Sequence, residues 1–236
     1  MISTRRPLLA AVVFALLASP AAIPALAAET PYLTAKQLDL IPFLPPPPTR
    51  DSARDRAEMG EVLALQTNRS PERAAQAEAD SVETVYAMFA PVLGPGFTAE
   101  KLPKADALFG RVAASENEVL APVKRFFARP RPFMASDAVK PAAVASRSFS
   151  YPSGHVTRGT LMGIILAAML PEKREALWAR VEDYAASRAI GGVHYRSDIE
   201  GGKRAGTAIA GALFEDPAFR ADFESARAEL RHALGL

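Results

Sequence analysis

VTRGTLMGIILAAML, residues 156–170, is the stretch on which the fold turns. It is apolar almost throughout, yet too short for a bilayer core, which takes about 20 residues. A run of that length and character reads as a helix buried at the centre of a domain. On its C-terminal side, Pro171-Glu172 restarts the chain into a helix bearing Leu177, Trp178, Val181 and Tyr184. Ile199 to Leu213, rich in Gly and Ala, follows as a small-residue helix suited to close packing, and Asp216-Pro217 opens a last helix through Phe219, Phe223 and Leu230. On the N-terminal side, a helical pattern from Asp51 carries Met59, Val62, Leu63 and Leu65. Ser70-Pro71-Glu72 caps a second helix that runs through Ala74, Ala77, Val82, Val85, Met88 and Phe89 to Pro91 and Gly94. A third is expected from a Thr98 cap through Leu108, Val112, Val119, Val123 and Phe127, ended by Pro130 and Pro132. Residues 135–150 read as loop with a short helix around Ala142. Alternating strand patterns are almost absent and no repeat is evident. The expected fold is all-α, a single-domain helical bundle over residues 51–236 with its site between core helices.

The first 50 residues follow other rules. Arg5 and Arg6, the apolar run Leu8 to Leu17 and the small-residue pattern Ala25-Leu26-Ala27 read as a secretory signal peptide, residues 1–27, cut after Ala27 or Ala28. The expected location is the periplasm, with a retained N-terminal anchor as the lesser alternative. Residues 28–50 then form an arm in which Pro45 to Pro48 favour extended polyproline II. The arm is expected to lie over the domain, the alternatives being a disordered linker or an SH3-type ligand.

Removing residues 1–27 takes away two arginines and no acid, leaving 26 basic and 26 acidic residues. A formally neutral chain without a polybasic block gives no support to a nucleic-acid partner. The absence of cysteine excludes disulfides, cysteine nucleophiles and thiolate metal sites together. The core must therefore hold the fold, and 49% apolar residues make that feasible. No segment of the mature chain is long and apolar enough to span a membrane.

Three separated segments carry residues with chemistry. In Lys124-Arg-Phe-Phe-Ala-Arg-Pro-Arg131-Pro132, Lys124 and Arg131 are two helical turns apart, so both cations can reach one side of a helix end. Arginine offers a planar fork matched to phosphate oxygens, and lysine a compact charge. In Ser150-Tyr151-Pro152-Ser153-Gly154-His155, the donors of Ser153 and Gly154 stand at the start of the apolar helix, where exposed N–H groups form an anion site. In SRAIGGVHYRSD, residues 187–198, His194 and Asp198 are four apart. A helix beginning near His194 would put them on one face, so that the carboxylate holds one ring nitrogen and leaves the other free to attack. Arg188 precedes the histidine across Gly191 and Gly192, which allow backbone to pass close to an anion seated between Arg188 and His194. Taken singly, each segment also fits an ordinary role: a basic helix terminus, a Ser/Gly cap, a surface helix with His and Asp in register.

Together the segments match Lys-x6-Arg-Pro, Pro-Ser-Gly-His and Ser-Arg-x5-His-x3-Asp with every fixed residue present. This resembles the type 2 phosphatidic acid phosphatase superfamily, which also contains the vanadium haloperoxidases. The Leu-Pro-Pro-Pro-Pro arm, Gln-Ala-Glu-Ala-Asp at 76–80, the Ser-Tyr-Pro-Ser-Gly-His form of the second motif and the terminal Asp-Pro-Ala-Phe resemble class A bacterial non-specific acid phosphatases. The resemblance implies an exported acid phosphatase acting on small organic phosphomonoesters, inhibited by phosphate or vanadate, with no cofactor and no metal, and with homo-oligomerisation possible. It implies His194 as the nucleophile that forms a phosphohistidine, Asp198 as its orienting partner and His155 as general acid to the leaving alcohol. Lys124, Arg131, Ser153, Gly154 and Arg188 are implied as binders of phosphate oxygens. A vanadium-dependent haloperoxidase, a phosphotransferase and a non-catalytic anion-binding protein are the alternatives. Phe149, Val156 and Tyr195 depart from the family pattern and are expected at the pocket rim. His232 is expected at the surface.

Overall fold

The computed structural model describes residues 30–144 and 146–236. The expected signal peptide and residues 28 and 29 of the arm lie outside them. Among the described residues the regular structure is helical, without a strand: α1 (Ala53–Asn68), α2 (Pro71–Ala79), α3 (Val85–Leu93), α4 (Pro103–Phe127), α5 (Pro132–Ala135), α6 (Gly154–Met169), α7 (Arg174–Ile190), α8 (Arg196–Glu215) and α9 (Pro217–Ala233). No helix among them is long and apolar enough to cross a membrane.

The run that fixed the expectation is α6, and it occupies the centre. Val156, Leu161, Met162, Ile165, Leu166 and Met169 are all buried, as a helix apolar on every side must be. It packs against α8 and α7 at points where glycine removes the barrier to approach. A Cβ on Gly206 of α8 would stand 2.5 Å from the Thr157 carbonyl oxygen, and one on Gly163 of α6 would stand 2.4 Å from a methyl carbon of Val181 on α7. The small residues of α8 thus bring two helix backbones together. Leu33, Leu40 and Leu44 of the arm are buried against the same core. The arm is also tied by its backbone: Tyr32 N–H donates to Ser115 Oγ at 2.8 Å, and Tyr151 Oη donates to the Pro45 carbonyl.

Three boundaries differ from the expectation, and in each a tertiary contact overrides the local pattern. The helix expected from Pro71 to Gly94 breaks between Ala79 and Val85. Asp80 is drawn inward by Arg180 Nη2 at 2.5 Å and by Ser187 Oγ at 2.6 Å, while Thr84 starts α3 by accepting from the Ala87 N–H. Val82, expected on the apolar face, is consequently exposed. The Thr98 cap is not used, because residues 99–101 form a single 3-10 turn and α4 begins at Pro103. The first N–H groups of α4 are satisfied by Glu229 of α9, which accepts from Lys104 and Ala105 at 2.9 Å each. Around Ala142 there is no helix: the N–H groups of Ala142 and Ala143 donate to the Gly191 carbonyl at 3.0 and 3.4 Å.

The packing gathers one end of the molecule. The C-termini of α4 and α7 and the N-termini of α6 and α8 carry Lys124, Arg188, His155 and Asp198 respectively.

Candidate active site

Lys124, Arg131, Gly154 and His155 line one cavity of about 290 Å³, together with Glu83, Glu116, Asn117 and Ser148. Lys124 and Arg131 do not share a helix. α4 ends at Phe127, and Ala128 turns the chain out of it in the left-handed region at φ 45°. Arg131 therefore reaches the cavity as the residue capping α5, from outside the helix that carries Lys124. Lys124 Nζ donates to the carbonyls of Phe149 at 3.0 Å and Pro152 at 2.6 Å. Burial first, then the charge of Arg131, lowers its pKa to about 8. Arg131, lowered to about 10 chiefly by burial, donates to the Ser148 carbonyl at 2.8 Å and the Val193 carbonyl at 3.2 Å.

His194 lies behind Arg131 with no exposed surface. It stands just before α8, which begins at Arg196, so the expected shared helical face is not what joins it to Asp198. Asp198 instead sits one turn into α8 and turns back, accepting from the Tyr195 N–H at 2.9 Å. That capping contact brings Asp198 Oδ2 to 3.4 Å from His194 Nδ1. Ser150 Oγ donates to the same oxygen at 2.5 Å and lies 3.3 Å from Nδ1. On the other side of the ring, Nε2 is 3.1 Å from Arg131 Nη1. A guanidinium only donates, so Nε2 must carry the lone pair and Nδ1 the proton. Burial, opposed by the Asp198 hydrogen bond, holds the ring pKa well below its usual value, and His194 is neutral. Burial alone would raise the Asp198 carboxyl, but His194, Arg129 and the Ser150 hydroxyl together outweigh it and lower the value.

His155 has the opposite tautomer. Its Nε2 is 3.2 Å from the Ser81 carbonyl, which can only accept, so Nε2 bears the proton and Nδ1 is the basic atom. Nδ1 stands 3.6 Å from Glu83 Oε1. Burial and the charge of Arg188 depress the ring to about 4, with Glu83 pulling the other way. Arg188 is buried, and Nη1 donates to the Asp80 carbonyl at 3.1 Å and to Ser81 Oγ at 3.3 Å. Its Nε has no hydrogen-bond partner among the described residues. An orphaned charged donor close enough to Arg131 to lower its pKa is the state expected of a group awaiting an anion.

Other expected residues sit differently. Ser153 is fully buried and caps α6, its Oγ accepting from Val156 N–H at 3.4 Å, and it is not among the cavity walls. Gly191 and Gly192 meet Ala143 and Val139 of the neighbouring loop, so their missing side chains make room for that loop. Phe149 is half exposed, but Val156 and Tyr195 are buried and form no rim. Val156 packs against Gly202, and the Arg129 guanidinium lies 3.8 Å above the Tyr195 ring. His232 is exposed near the end of α9.

The spacing argument missed Arg129. Its Nη1 donates to Asp198 Oδ1 at 2.9 Å and to Ser197 Oγ at 2.7 Å, and its Nη2 to Asp55 and Glu58, each at 3.0 Å. It thereby ties α1 to the carboxylate beside His194. Arg129 is one of two arginines between Lys124 and Arg131, the other being Arg125, and its partners on α1 lie more than seventy residues away.

The PAP2 superfamily profile matches residues 107–221. A non-specific acid phosphatase of Salmonella typhimurium is 29% identical over 196 residues, covering 80% of this chain and 78% of that one. An acid phosphatase of Zymomonas mobilis is 29% identical over 202 residues, covering 83% and 76%. Among solved structures, a transmembrane PAP2 type phosphatidylglycerolphosphate phosphatase from Bacillus subtilis superposes with a TM-score of 0.53 at 20% identity, covering 73% of this chain and 88% of that one. A bacterial vanadium-dependent iodoperoxidase gives 0.55 at 21% identity, covering 73% and 51%. These last two share the fold.

Proposed function

We infer, from the PAP2 superfamily domain that this chain carries over residues 107–221, that the protein is an acid phosphatase hydrolysing small organic phosphomonoesters through a covalent phosphohistidine, without a metal. The observation that carries the reading is the pair of opposed tautomers. His194 offers a lone pair on Nε2 beside Arg131, and His155 can accept and return a proton on Nδ1. One nucleophile and one acid, flanked by three cations, are what phosphoryl transfer asks of a protein.

In the first step Nε2 of His194 attacks phosphorus, the bond from phosphorus to the alcohol oxygen breaks, and protonated His155 gives its Nδ1 proton to that oxygen. Asp198 stabilises the positive charge that the His194 ring acquires. In the second step His155 takes a proton from water as the water oxygen attacks phosphorus, and the P–N bond breaks to restore the lone pair on Nε2. Lys124, Arg131 and Arg188 hold the equatorial oxygens, with the Gly154 N–H at the start of α6 as a further donor, whereas the Ser153 N–H is already given to the Asp198 carbonyl at 3.0 Å. A bound dianion offsets Arg188 and Arg131, both of which lower the His155 pKa, so substrate itself raises the proton affinity of the acid. Phosphate and vanadate occupy the same cradle as inhibitors. Export to the periplasm belongs to the same reading and rests on the motif in residues 1–27.

The test is trapping. Brief incubation with a labelled phosphoester followed by denaturing quench should leave acid-labile, base-stable label on the protein, and His194→Ala should abolish it together with p-nitrophenyl phosphate turnover in excess EDTA. Unchanged turnover in His194→Ala would overturn the mechanism, and dependence on added metal would overturn its metal-free form.

A further inference from the structure

Facing Lys124 and Arg131, the same cavity has a wall of contrary charge built from Glu83, Glu116 and Asn117. Arg158 joins the two carboxylates, but unequally: its Nε is 2.6 Å from Glu116 Oε2, whereas its Nη1 is 4.0 Å from Glu83 Oε1. Glu116 is buried with that partner, whereas the Glu83 side chain is left about a third exposed and Arg158 Nη1 donates to the Glu83 backbone carbonyl, at 3.4 Å, in place of its carboxylate. One arginine against two carboxylates leaves the wall a net negative charge when both are ionised.

Its position gives that charge a use. Glu83 stands 3.6 Å from Nδ1 of His155, the nitrogen that hands a proton to the departing oxygen. With the phosphate held by the cations, the alcohol portion of the ester must leave past Nδ1 and along Glu83. Leu120 and Ala121 line the cavity beside the acids and supply an apolar floor for a short carbon chain. A cavity of about 290 Å³ is at the small end of ligand pockets, so the charged group of a small alcohol cannot stay far from this wall.

We propose that Glu83, backed by Glu116, forms a leaving-group subsite that favours phosphomonoesters of short alcohols bearing an ammonium group and disfavours those bearing a carboxylate. The proposal rests on the phosphatase reading above. Burial pushes Glu116 up to about 7 against the pull of Arg158, so the wall is fully charged only above that pH.

The measurement is the ratio of kcat/KM for O-phosphoethanolamine to that for phosphoglycolate, two esters of equal chain length, at pH 7.5. Comparing ratios between variants cancels the intrinsic difference in leaving group, and a second variant away from His155 separates the subsite from any change in that ring. Glu83→Gln should lower the ratio about 3- to 10-fold, the effect of one charge acting over a few ångströms through a partly solvated cavity. Asn117→Lys should lower it similarly, since it neutralises the net charge of the wall at an exposed position that contacts neither histidine. Absence of p-nitrophenyl phosphate turnover in the wild type would sink the phosphatase reading itself. Normal turnover of that ester, whose leaving group bears neither ammonium nor carboxylate, with the ratio unchanged in both variants, would overturn the subsite alone.

Discussion

The two histidines of the site are held in different ways. Around His194 the partners are side chains engaged with one another: Asp198 meets Arg129, Ser150 and the ring, and Arg129 continues to Glu58, all buried. Around His155 the partners are largely backbone carbonyls. Ser81 takes the His155 Nε2, Asp80 takes Arg188, and Phe149 and Pro152 take Lys124. A buried network of full charges keeps its geometry whether or not a ligand is present, whereas cations on neutral carbonyls exchange those bonds for stronger ones when an anion arrives. The nucleophile is therefore pre-positioned, while the groups that receive the phosphate are parked.

The largest effect should come from breaking the buried half. Arg129→Gln leaves Asp198 and Glu58 buried without their cation, and loss of one partner from such a network costs about 3–5 kcal/mol. Urea unfolding at pH 7 should show a lower midpoint by that equivalent at unchanged slope. The pH dependence has a definite sign. Asp198 is held low in the fold, so its stabilising contribution is complete above the unfolded value of about 3.9 and is lost as pH falls through the folded value. Without Arg129 the folded value rises, and acid unfolding should begin at higher pH. Lys124→Met in the parked half should cost little or nothing, because it removes an ammonium that burial already disfavours. Equal losses in the two variants would erase the distinction.

A second effect separates orientation from binding. Asp198→Asn keeps every phosphate cation but removes the charge that steadies the His194 ring, so turnover should fall roughly 10²- to 10³-fold with vanadate inhibition nearly unchanged. Arg188→Ala removes a donor from the oxygens themselves and should weaken vanadate inhibition as well as turnover. Competitive inhibition constants for both folded variants decide the matter. A larger loss of vanadate affinity in Asp198→Asn than in Arg188→Ala would reverse the assignment of the two halves.

How much of this was legible in the sequence follows the same division. α6 could be read because a continuous apolar run needs no partner to identify it. Lys124, Arg131, His155, Arg188, His194 and Asp198 could be singled out because their residue types and short spacings carry chemical meaning within each segment. What joins the segments could not be read. The Arg129–Glu58 contact spans 71 positions, and the Asp80–Arg180 contact that splits the expected second helix spans 100. The start of α4 depends on Glu229 of α9. Gly191 and Gly192 were misread because a glycine reports only that something comes close, and here it is the chain at Val139 to Ala143.

The smallest effect concerns the proton on His155. Burial and Arg188 hold that ring near 4, and Glu83 is the largest opposing influence. For a general acid, activity falls as pH rises through its pKa, so the alkaline limb of kcat marks the His155 value in the bound complex. Replacing Glu83 by Gln removes a charge that favours the protonated ring, and the limb should move to lower pH. Glu83 is about a third exposed and screened by water, so the displacement should stay below about one unit. Substrates with poor leaving groups should report it most clearly, because they depend most on the proton. Rates for an alkyl phosphate and for p-nitrophenyl phosphate between pH 3 and 8, in wild type and Glu83→Gln, give the comparison with substrate ionisation held constant. A limb that stays in place for the alkyl ester, or moves upward, would remove Glu83 from the control of His155. It would leave the parked half governed by Arg188 and burial alone.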